Sequence, residues 1–226
     1  MTLGKNIIVI PAFNEAETIK NVVESVRAFG IPLVVSDGST DGTASIALAA
    51  GAEVIVQTTN LGYEAALNAG FAKAMKLGAS TIITFDGDGQ LDPEVLTKIL
   101  LIIKSTNISF IIGIRPKFAR FTEYIFNLYT HYRHGVDDIL CGVKAYPAEV
   151  YLELGYFDSG SSVGTELALF ALQRGRLFKT VPVKVNLRRN GKSRFGSGWR
   201  ANLRILNALF IAMRNDILVM LKIKEK

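Results

Sequence analysis

The chain has 226 residues, of which 49% are hydrophobic and 20% are charged. This composition excludes an intrinsically disordered chain, and the single cysteine, Cys141, excludes an intrachain disulfide and a multi-cysteine metal cluster. Residues 1–114 carry 7 basic against 11 acidic residues, whereas residues 115–226 carry 19 against 9. The positive excess of the second half predicts an anionic partner such as phosphate or a membrane surface.

The first half of the chain alternates between strand and helix patterns. Strands are predicted at 7–10, 33–35, 54–57, 81–85 and 108–114, and helices at 16–29, 44–50, 63–77 and 93–104. Such alternation predicts an α/β fold with a Rossmann-like, mostly parallel central sheet and flanking helices.

Polar side chains follow four of the predicted strands. They are Asn14 and Glu15 after the first strand, Asp37 after the second, Asn60 with Gly62 after the third, and Asp86 with Asp88 after the fourth. Because ligands of open α/β sheets bind beyond the carboxyl ends of the strands, we expect these residues to share one rim.

The segment Asp86-Gly87-Asp88-Gly89-Gln90 is the sharpest local motif. Two carboxylates two residues apart, with glycines that let the backbone approach a ligand, can turn toward one cation. Carboxylate and amide oxygens suit Mg²⁺ or Mn²⁺. A solvated Asp-Gly turn is the alternative that this segment leaves open. The chain contains neither a GxxxxGK[ST] phosphate loop nor a GxGxxG dinucleotide fingerprint.

Taken together, the motifs resemble those of the family 2 glycosyltransferases. The matching segments are IIVIPAFNEAETI, VVSDGSTDGT, NLGYEAALNAG and TFDGDGQLDPE. Three later segments resemble the dolichyl- and polyprenyl-phosphate hexosyltransferases, namely IIGIR (111–115), DILCGVKAY (138–146) and VPVKVNLRRNGKSR (181–194). The resemblance implies a glycosyltransferase-A catalytic domain over residues 1–196. Residues 197–226 would form a C-terminal amphipathic helical segment of the same structural unit.

The resemblance also implies roles for individual residues. The nucleotide sugar would contact Pro11, Ala12, Asn14, Glu15, Asp37, Gly62, Asp86, Gly87 and Glu166. A divalent cation would bind Asp86, Asp88 and Gln90, and the acceptor phosphate would meet Arg115, Arg188, Ser193 and Arg194. Catalysis would rest on Asp86, Asp88, Arg188 and Arg194. Departures from the family pattern at Ser36 and at Tyr63-Glu64 leave the choice between a GDP- and a UDP-hexose open.

The charge pattern favours a phosphate as the acceptor in this reaction. A sugar hydroxyl would need a general base, for which Glu166 is the candidate, whereas a phosphate is already ionised and needs cations to guide it. Residues 186–204 contain six basic residues and no acid. The resemblance implies an inverting, metal-dependent hexose transfer, and with the charge pattern we expect its acceptor to be a polyprenyl or dolichyl phosphate. Glycan assembly with Glu166 as base, and a nucleotide- or lipid-binding module without activity, are the alternatives.

Two segments, 118–132 and 203–221, are amphipathic enough to lie on a membrane surface. In the second segment, apolar positions share one face, namely Leu206, Leu209, Met213, Ile217 and Met220. Packing on the core and a homodimer interface are the alternatives for both segments. The sequence has neither a signal-peptide pattern nor an uncharged run of about 18 residues, and its basic part lacks a nucleic-acid-reading motif. We expect a peripheral protein on the cytoplasmic face of a membrane.

Overall fold

A computed structural model describes residues 4–105, 110–118, 120–160, 162–186 and 199–224 of the chain. In chain order the elements are β1 (Lys5–Ala12), α1 (Ile19–Val26), β2 (Ile31–Asp37), α2 (Thr43–Ala49), β3 (Glu53–Gln57), α3 (Tyr63–Lys76), β4 (Ala79–Thr84), α4 (Glu94–Ser105), β5 (Phe110–Ile114), α5 (Phe121–His134), β6 (Lys144–Pro147), α6 (Ala148–Leu154), α7 (Glu166–Gln173), β7 (Phe178–Pro182) and α8 (Trp199–Lys224). The α/β prediction is therefore confirmed.

The strands form one seven-stranded sheet in the order β3-β2-β1-β4-β6-β5-β7. Neighbouring strands run parallel except at β6, which is antiparallel to both β4 and β5. Val9 of β1 pairs with Leu33 of β2 and with Thr84 of β4, so the carboxyl ends of these strands lie at the same edge. The predicted strands all have counterparts in the sheet, whereas β6 and β7 lie outside the predicted set.

Apolar side chains cover both faces of the sheet. Along β1, Ile7 and Val9 belong to one core cluster and Ile8 and Ile10 to the other, because successive strand residues point to opposite faces. The first cluster is filled by α3, α5, α6, α7 and α8, and the second by α1, α2 and α4. Burial on both faces explains why the strands read as nearly continuous apolar runs.

The long helix α8 packs on the domain through small residues. Its buried positions include Ala201, Ile205, Ala208 and Ala212, and it contacts α5 and α7. The apolar face expected from the sequence is largely exposed, since Leu209 is buried but Met213, Ile217 and Met220 are exposed. Among the described residues, no helix combines the length and the apolar character needed to span a membrane.

Candidate active site at the carboxyl edge of the sheet

Two aspartates follow β4 at the centre of this edge. The amide of Phe85 still pairs with Val9 of β1, so Asp86 is the first residue past the sheet. A Cβ on Gly142, in the turn before β6, would lie 2.7 Å from Oδ1 of Asp86, and only glycine leaves room for that carboxylate. Gly87 passes close to β1 in the same way, because a Cβ there would lie 3.0 Å from the Pro11 carbonyl oxygen.

The electrostatic surroundings disfavour the ionised form of Asp86. Burial and the nearby carboxylate of Asp88 raise the pKa of Asp86 to about 6, although Lys144 and Arg115 act in the opposite direction. A bound cation would relieve this repulsion, and the carboxylate and amide oxygens of Asp86, Asp88 and Gln90 have the chemistry that Mg²⁺ or Mn²⁺ requires. Among the described residues, no group of three or more His, Cys, Asp or Glu side chains could hold a metal ion. Such a cation would depend on water and substrate oxygens as well.

Backbone contacts fix the second half of this motif. The amide of Gln90 donates to Oδ1 of Asp88 at 3.1 Å. Gln90 is also tied to the segment after β7, because its carbonyl oxygen accepts from the amide of Asn186 at 2.7 Å. Thr18 Oγ1 donates to the Gly87 carbonyl oxygen at 2.8 Å. The aspartates therefore lie on a loop that is held on two sides.

The loops after β1 and β2 are joined by polar contacts. Asn14 has a left-handed backbone (φ 51°), and its amide donates to Ser39 Oγ at 3.0 Å. The side-chain oxygen of Asn14 accepts from the amide of Thr40 at 2.8 Å. The amide of Glu15 donates to Thr43 Oγ1 at 2.8 Å. Asn14 and Glu15 therefore shape this part of the rim, and their predicted contact with a nucleotide stays a prediction.

Asp37 connects the end of β2 to the loop before α3. This buried carboxylate accepts from the amide of Leu61 at 2.7 Å through Oδ1 and from that of Gly62 at 2.8 Å through Oδ2. Gly62 has a φ of 97°, which favours glycine at this position. The contacts place Asp37 beside the amino end of α3, where free amides attract phosphate. Its role toward the nucleotide base stays a prediction.

Arg115, expected to meet the acceptor phosphate, belongs to a charged cluster. Its Nε and Nη2 donate to Asp138 at 2.9 and 2.6 Å, and Nη2 also lies 3.2 Å from Glu123 Oε2. Arg120 Nη1 donates to Glu123 Oε1 at 2.9 Å. Burial alone would lower the pKa of Arg115, but the hydrogen bond and charge of Asp138 outweigh burial and raise it. The other predicted acceptor residues, Arg188, Ser193 and Arg194, lie outside the described residues.

Glu166 begins α7, and its carboxylate holds the preceding loop. Oε1 accepts from the hydroxyl of Tyr156 at 3.0 Å. Oε2 accepts from the amide and the hydroxyl of Ser159 at 2.7 and 2.6 Å. Glu166 also lines a cavity of about 230 Å³ between α7 and α8. Both oxygens therefore already have protein donors, which favours a structural or sugar-orienting role over that of a general base.

Sequence reasoning did not single out Lys144 or the buried acids Glu123 and Asp138. Lys144 lies on β6 within the matching segment DILCGVKAY, and its side chain is buried. The sequence did offer one signal, which is a charged residue inside a short apolar run. Such a residue is buried only where it has polar partners, so its position indicates a buried polar cluster.

Comparison with known proteins identifies the family. Residues 7–181 match the model of glycosyl transferase family 2. Glycosyltransferase AglJ of Haloferax volcanii is 32% identical in an alignment of 197 positions that covers 81% of this chain and 64% of that protein, slightly less than two thirds of AglJ. Polyprenol monophosphomannose synthase of Mycolicibacterium smegmatis is 30% identical in an alignment of 215 positions that covers 84% of this chain and 80% of that protein. The chain belongs to glycosyl transferase family 2.

A solved structure shares the fold. Glucosyl-3-phosphoglycerate synthase from Mycobacterium tuberculosis, in complex with Mn²⁺, UDP-glucose and phosphoglyceric acid, aligns with a TM-score of 0.73 and 20% identity. The alignment covers 93% of this chain and 80% of that one. The predicted glycosyltransferase-A fold is thereby confirmed, and the protein is a family 2 glycosyltransferase.

Proposed function

We propose that this glycosyltransferase moves a hexose from a nucleotide-diphosphate sugar to a polyprenyl or dolichyl phosphate, with inversion at the anomeric carbon. The single observation that supports the donor side best is the pair Asp86 and Asp88, which lies beyond β4 with the carboxylate of Asp86 against Gly142. The name of the mycobacterial relative, a polyprenol monophosphomannose synthase, supports the acceptor class.

The nucleotide diphosphate would lie along the rim between the two loops already described. The loops after β1 and β2 form one wall, with Pro11, Ala12, Asn14, Glu15 and Asp37. Asp37 already accepts from the amide of Gly62, so the backbone amides for a phosphate would come from the first turn of α3, at a helix amino end that favours negative charge. Asp37 would contribute by keeping that amino end in place.

A divalent cation would be held by Asp86, Asp88 and Gln90. When bound, it would neutralise the departing diphosphate by Lewis-acid stabilisation. The remaining requirement for catalysis is to position the donor and the acceptor. Holding two reactants in line lowers the barrier by about 7–11 kcal/mol in well-oriented reactions. The acceptor phosphate oxygen would attack the anomeric carbon as the diphosphate leaves on the opposite side. An ionised phosphate needs no proton removed, so this reaction requires no general base.

The acceptor side would be supplied by the basic half of the chain and by α5 and α8. Large apolar side chains are exposed on both helices, including Phe121 at 75%, Tyr132 at 81% and Phe210 at 66%. Exposed aromatic and aliphatic residues beside arginines such as Arg200 and Arg214 suit the surface of an anionic bilayer. We therefore propose that these helices rest on the membrane that contains the prenyl phosphate, with a homodimer interface as the competing use.

Transfer assays test this proposal directly. Purified protein would be given GDP- or UDP-hexoses with a short-chain prenyl phosphate, or with phosphoglyceric acid, in Mn²⁺ or in excess chelator. We expect transfer to the prenyl phosphate that requires the cation. Asp88→Ala should lose about 100-fold or more, because about 3 kcal/mol of charge stabilisation corresponds to two powers of ten.

The matched control is Asp137→Ala, which removes an exposed aspartate that pairs with His131. It should transfer hexose at the wild-type rate. Full wild-type activity in excess chelator would show that the cation assignment is wrong. Transfer to phosphoglyceric acid or to a sugar hydroxyl, with none to prenyl phosphate, would show that the acceptor assignment is wrong.

A further inference from the structure

Lys144 is a buried cation whose role the proposed reaction does not explain. Its side chain is buried in β6 (4% exposed), and Nζ donates to the carbonyl oxygens of Cys141 at 2.8 Å and Gly164 at 3.4 Å. Both acceptors are backbone carbonyls rather than carboxylates. Burying an ammonium group this way is costly, and burial lowers the pKa of Lys144. The position therefore calls for a specific reason to keep a lysine.

The carbonyl oxygen of Cys141, the first acceptor of Lys144, belongs to the turn behind Asp86. Cys141 directly precedes Gly142, against which the Asp86 carboxylate lies. The same turn is fixed to β4, because Thr84 Oγ1 donates to the Gly142 carbonyl oxygen at 2.6 Å and accepts from the amide of Lys144 at 3.0 Å. Lys144 thus holds one end of this turn, residues 141–143, which lies behind Asp86 and which we call the Asp86 turn.

The second carbonyl belongs to a compact loop, which we call the 157–165 loop and of which residues 157–160 and 162–165 are described. Asp158 closes it by accepting from the amides of Gly160 at 2.7 Å and Gly164 at 2.9 Å. Asn68 of α3 also holds the loop, because its Oδ1 accepts from the amide of Phe157 at 2.8 Å. The loop leads into Glu166, the first residue of α7. The loop is therefore a preformed unit, and Lys144 connects it to the turn behind Asp86.

The 157–165 loop also borders the start of α3. Gly164 has a φ of 70°, and a Cβ there would lie 3.1 Å from the ring of Tyr63. Tyr63 follows Gly62, whose amide donates to Asp37. A donor with its diphosphate at Asp86 and Asp88 would have its hexose beside the Asp86 turn and the start of α3, the two features that the 157–165 loop borders.

We propose that Lys144 is a positioning residue for the donor hexose, because its ammonium group bridges Cys141 and Gly164 and so fixes the Asp86 turn relative to the 157–165 loop. This inference rests on the proposed function for the identity of the donor. It predicts that loss of the bridge leaves the nucleotide diphosphate bound but misplaces the sugar. Misplacement by about 1 Å can cost on the order of 100-fold in rate.

The test compares Lys144→Met, Lys144→Gln and Lys144→Arg. Methionine keeps an unbranched stem but has no donors, glutamine keeps neutral donors, and arginine keeps a charge with donors in a fixed planar fork. Lys179→Met, at an exposed position of β7, is the matched control. Calorimetry with Mn²⁺ would measure the affinity for the nucleotide diphosphate and for the nucleotide sugar, and kinetics would give kcat and KM for donor and acceptor.

For Lys144→Met we expect nucleotide-diphosphate affinity within about 3-fold of wild type, while kcat falls by on the order of 10- to 100-fold. The ratio of the nucleotide-sugar affinity to the nucleotide-diphosphate affinity, which measures the contribution of the hexose, should fall about 10-fold. The acceptor KM should stay unchanged. Glutamine or arginine should restore part of the loss, and Lys179→Met should match wild type. Wild-type kcat and wild-type hexose affinity in Lys144→Met would overturn the proposal, as would equal losses of nucleotide and nucleotide-sugar affinity.

A readout that needs no donor keeps the inference testable by itself. In folded Lys144→Met, hydrogen exchange at the amides of Gly160 and Gly164 should accelerate, because the loop has lost its bridge to the Asp86 turn. Unchanged exchange would show that Lys144 does not hold the loop. If the wild-type protein bound no nucleotide sugar, the proposed function would fail, while the exchange result would still decide whether the bridge orders the loop.

Discussion

One buried carboxylate of α8, Asp216, links this helix to α5 and α7. Its Oδ1 accepts from Gln173 Nε2 of α7 at 2.7 Å, and its Oδ2 accepts from His134 Nε2 at 2.8 Å and from the hydroxyl of Tyr129 on α5. Asp216 is 2% exposed, so water cannot replace these partners. Asp216→Ala would remove three hydrogen bonds at once and leave three donors without their acceptor.

The size of the effect follows from this geometry. Removing one member of a buried charged network costs about 3–5 kcal/mol. For a chain of this length each kcal/mol lowers Tm by about 2–4 °C, which predicts a decrease of about 6–20 °C at pH 7. Circular dichroism or calorimetry would measure it. Asp137→Ala, which removes an exposed pair with His131, should cost about 0–1 kcal/mol and lower Tm by no more than about 4 °C.

The pH dependence gives the same prediction a second test. Burial would raise the pKa of Asp216, but the hydrogen bonds from His134, Tyr129 and Gln173 outweigh burial and lower the pKa. A lowered folded-state pKa stabilises the protein above the unfolded value of about 3.9, and this stability is lost as pH falls through the folded-state pKa. The Tm difference between wild type and Asp216→Ala should therefore shrink below about pH 4. A difference below 2 °C at pH 7, or one that stays constant down to pH 3, would refute this reasoning.

Three further variants test the site and the proposed membrane surface. Glu166→Gln should retain transfer to prenyl phosphate within about 3-fold, whereas loss by orders of magnitude would identify a general base. Asp37→Asn should raise the KM for the nucleotide sugar and lower the free energy of unfolding, measured by calorimetry, by about 1–3 kcal/mol, because an amide nitrogen cannot accept from a backbone N–H. An unchanged KM and an unchanged free energy of unfolding would contradict the role of Asp37 in the loop before α3. Phe210→Glu should weaken flotation with anionic vesicles while Leu152→Glu, exposed on α6, should not; equal flotation would place the contact elsewhere.

The strands that could be predicted from the sequence are continuous apolar runs. Four of them, β1, β2, β4 and β5, are largely buried, whereas the edge strand β3 is half exposed. The runs at 7–10 and 54–57 lie within β1 and β3, and each is followed by residues that favour turns. The two that were missed, β6 and β7, have four and five residues and pair with strands far away in the chain. Each of the two contains a lysine and ends in proline, so neither forms the continuous apolar run that marks the similarly short β3 and β5.

The rim itself was predicted because carboxyl ends of parallel strands meet at one edge, and that geometry requires no knowledge of side-chain contacts. The sequence could not show which of these polar groups form hydrogen bonds within the protein rather than contacts with a ligand. Asp37 accepts two backbone amides and Asn14 holds the loop after β2. These partners lie 24 to 26 positions away in the chain, so only the fold brings them within hydrogen-bonding distance.

The charge balance around Arg115 bears on where the acceptor phosphate would bind. Arg115 and Arg120 face Asp138 and Glu123, so the four charges cancel, and the side chains of both acids are less than 5% exposed. A phosphate that drew Arg115 away would leave a buried carboxylate without its partner, at a cost of about 3–5 kcal/mol. This favours cations other than Arg115 at the acceptor phosphate, and that role for Arg188 and Arg194, which lie outside the described residues, stays a prediction. Arg115 then serves to join the end of β5 to the amino end of α5, the helix proposed to rest on the lipid surface.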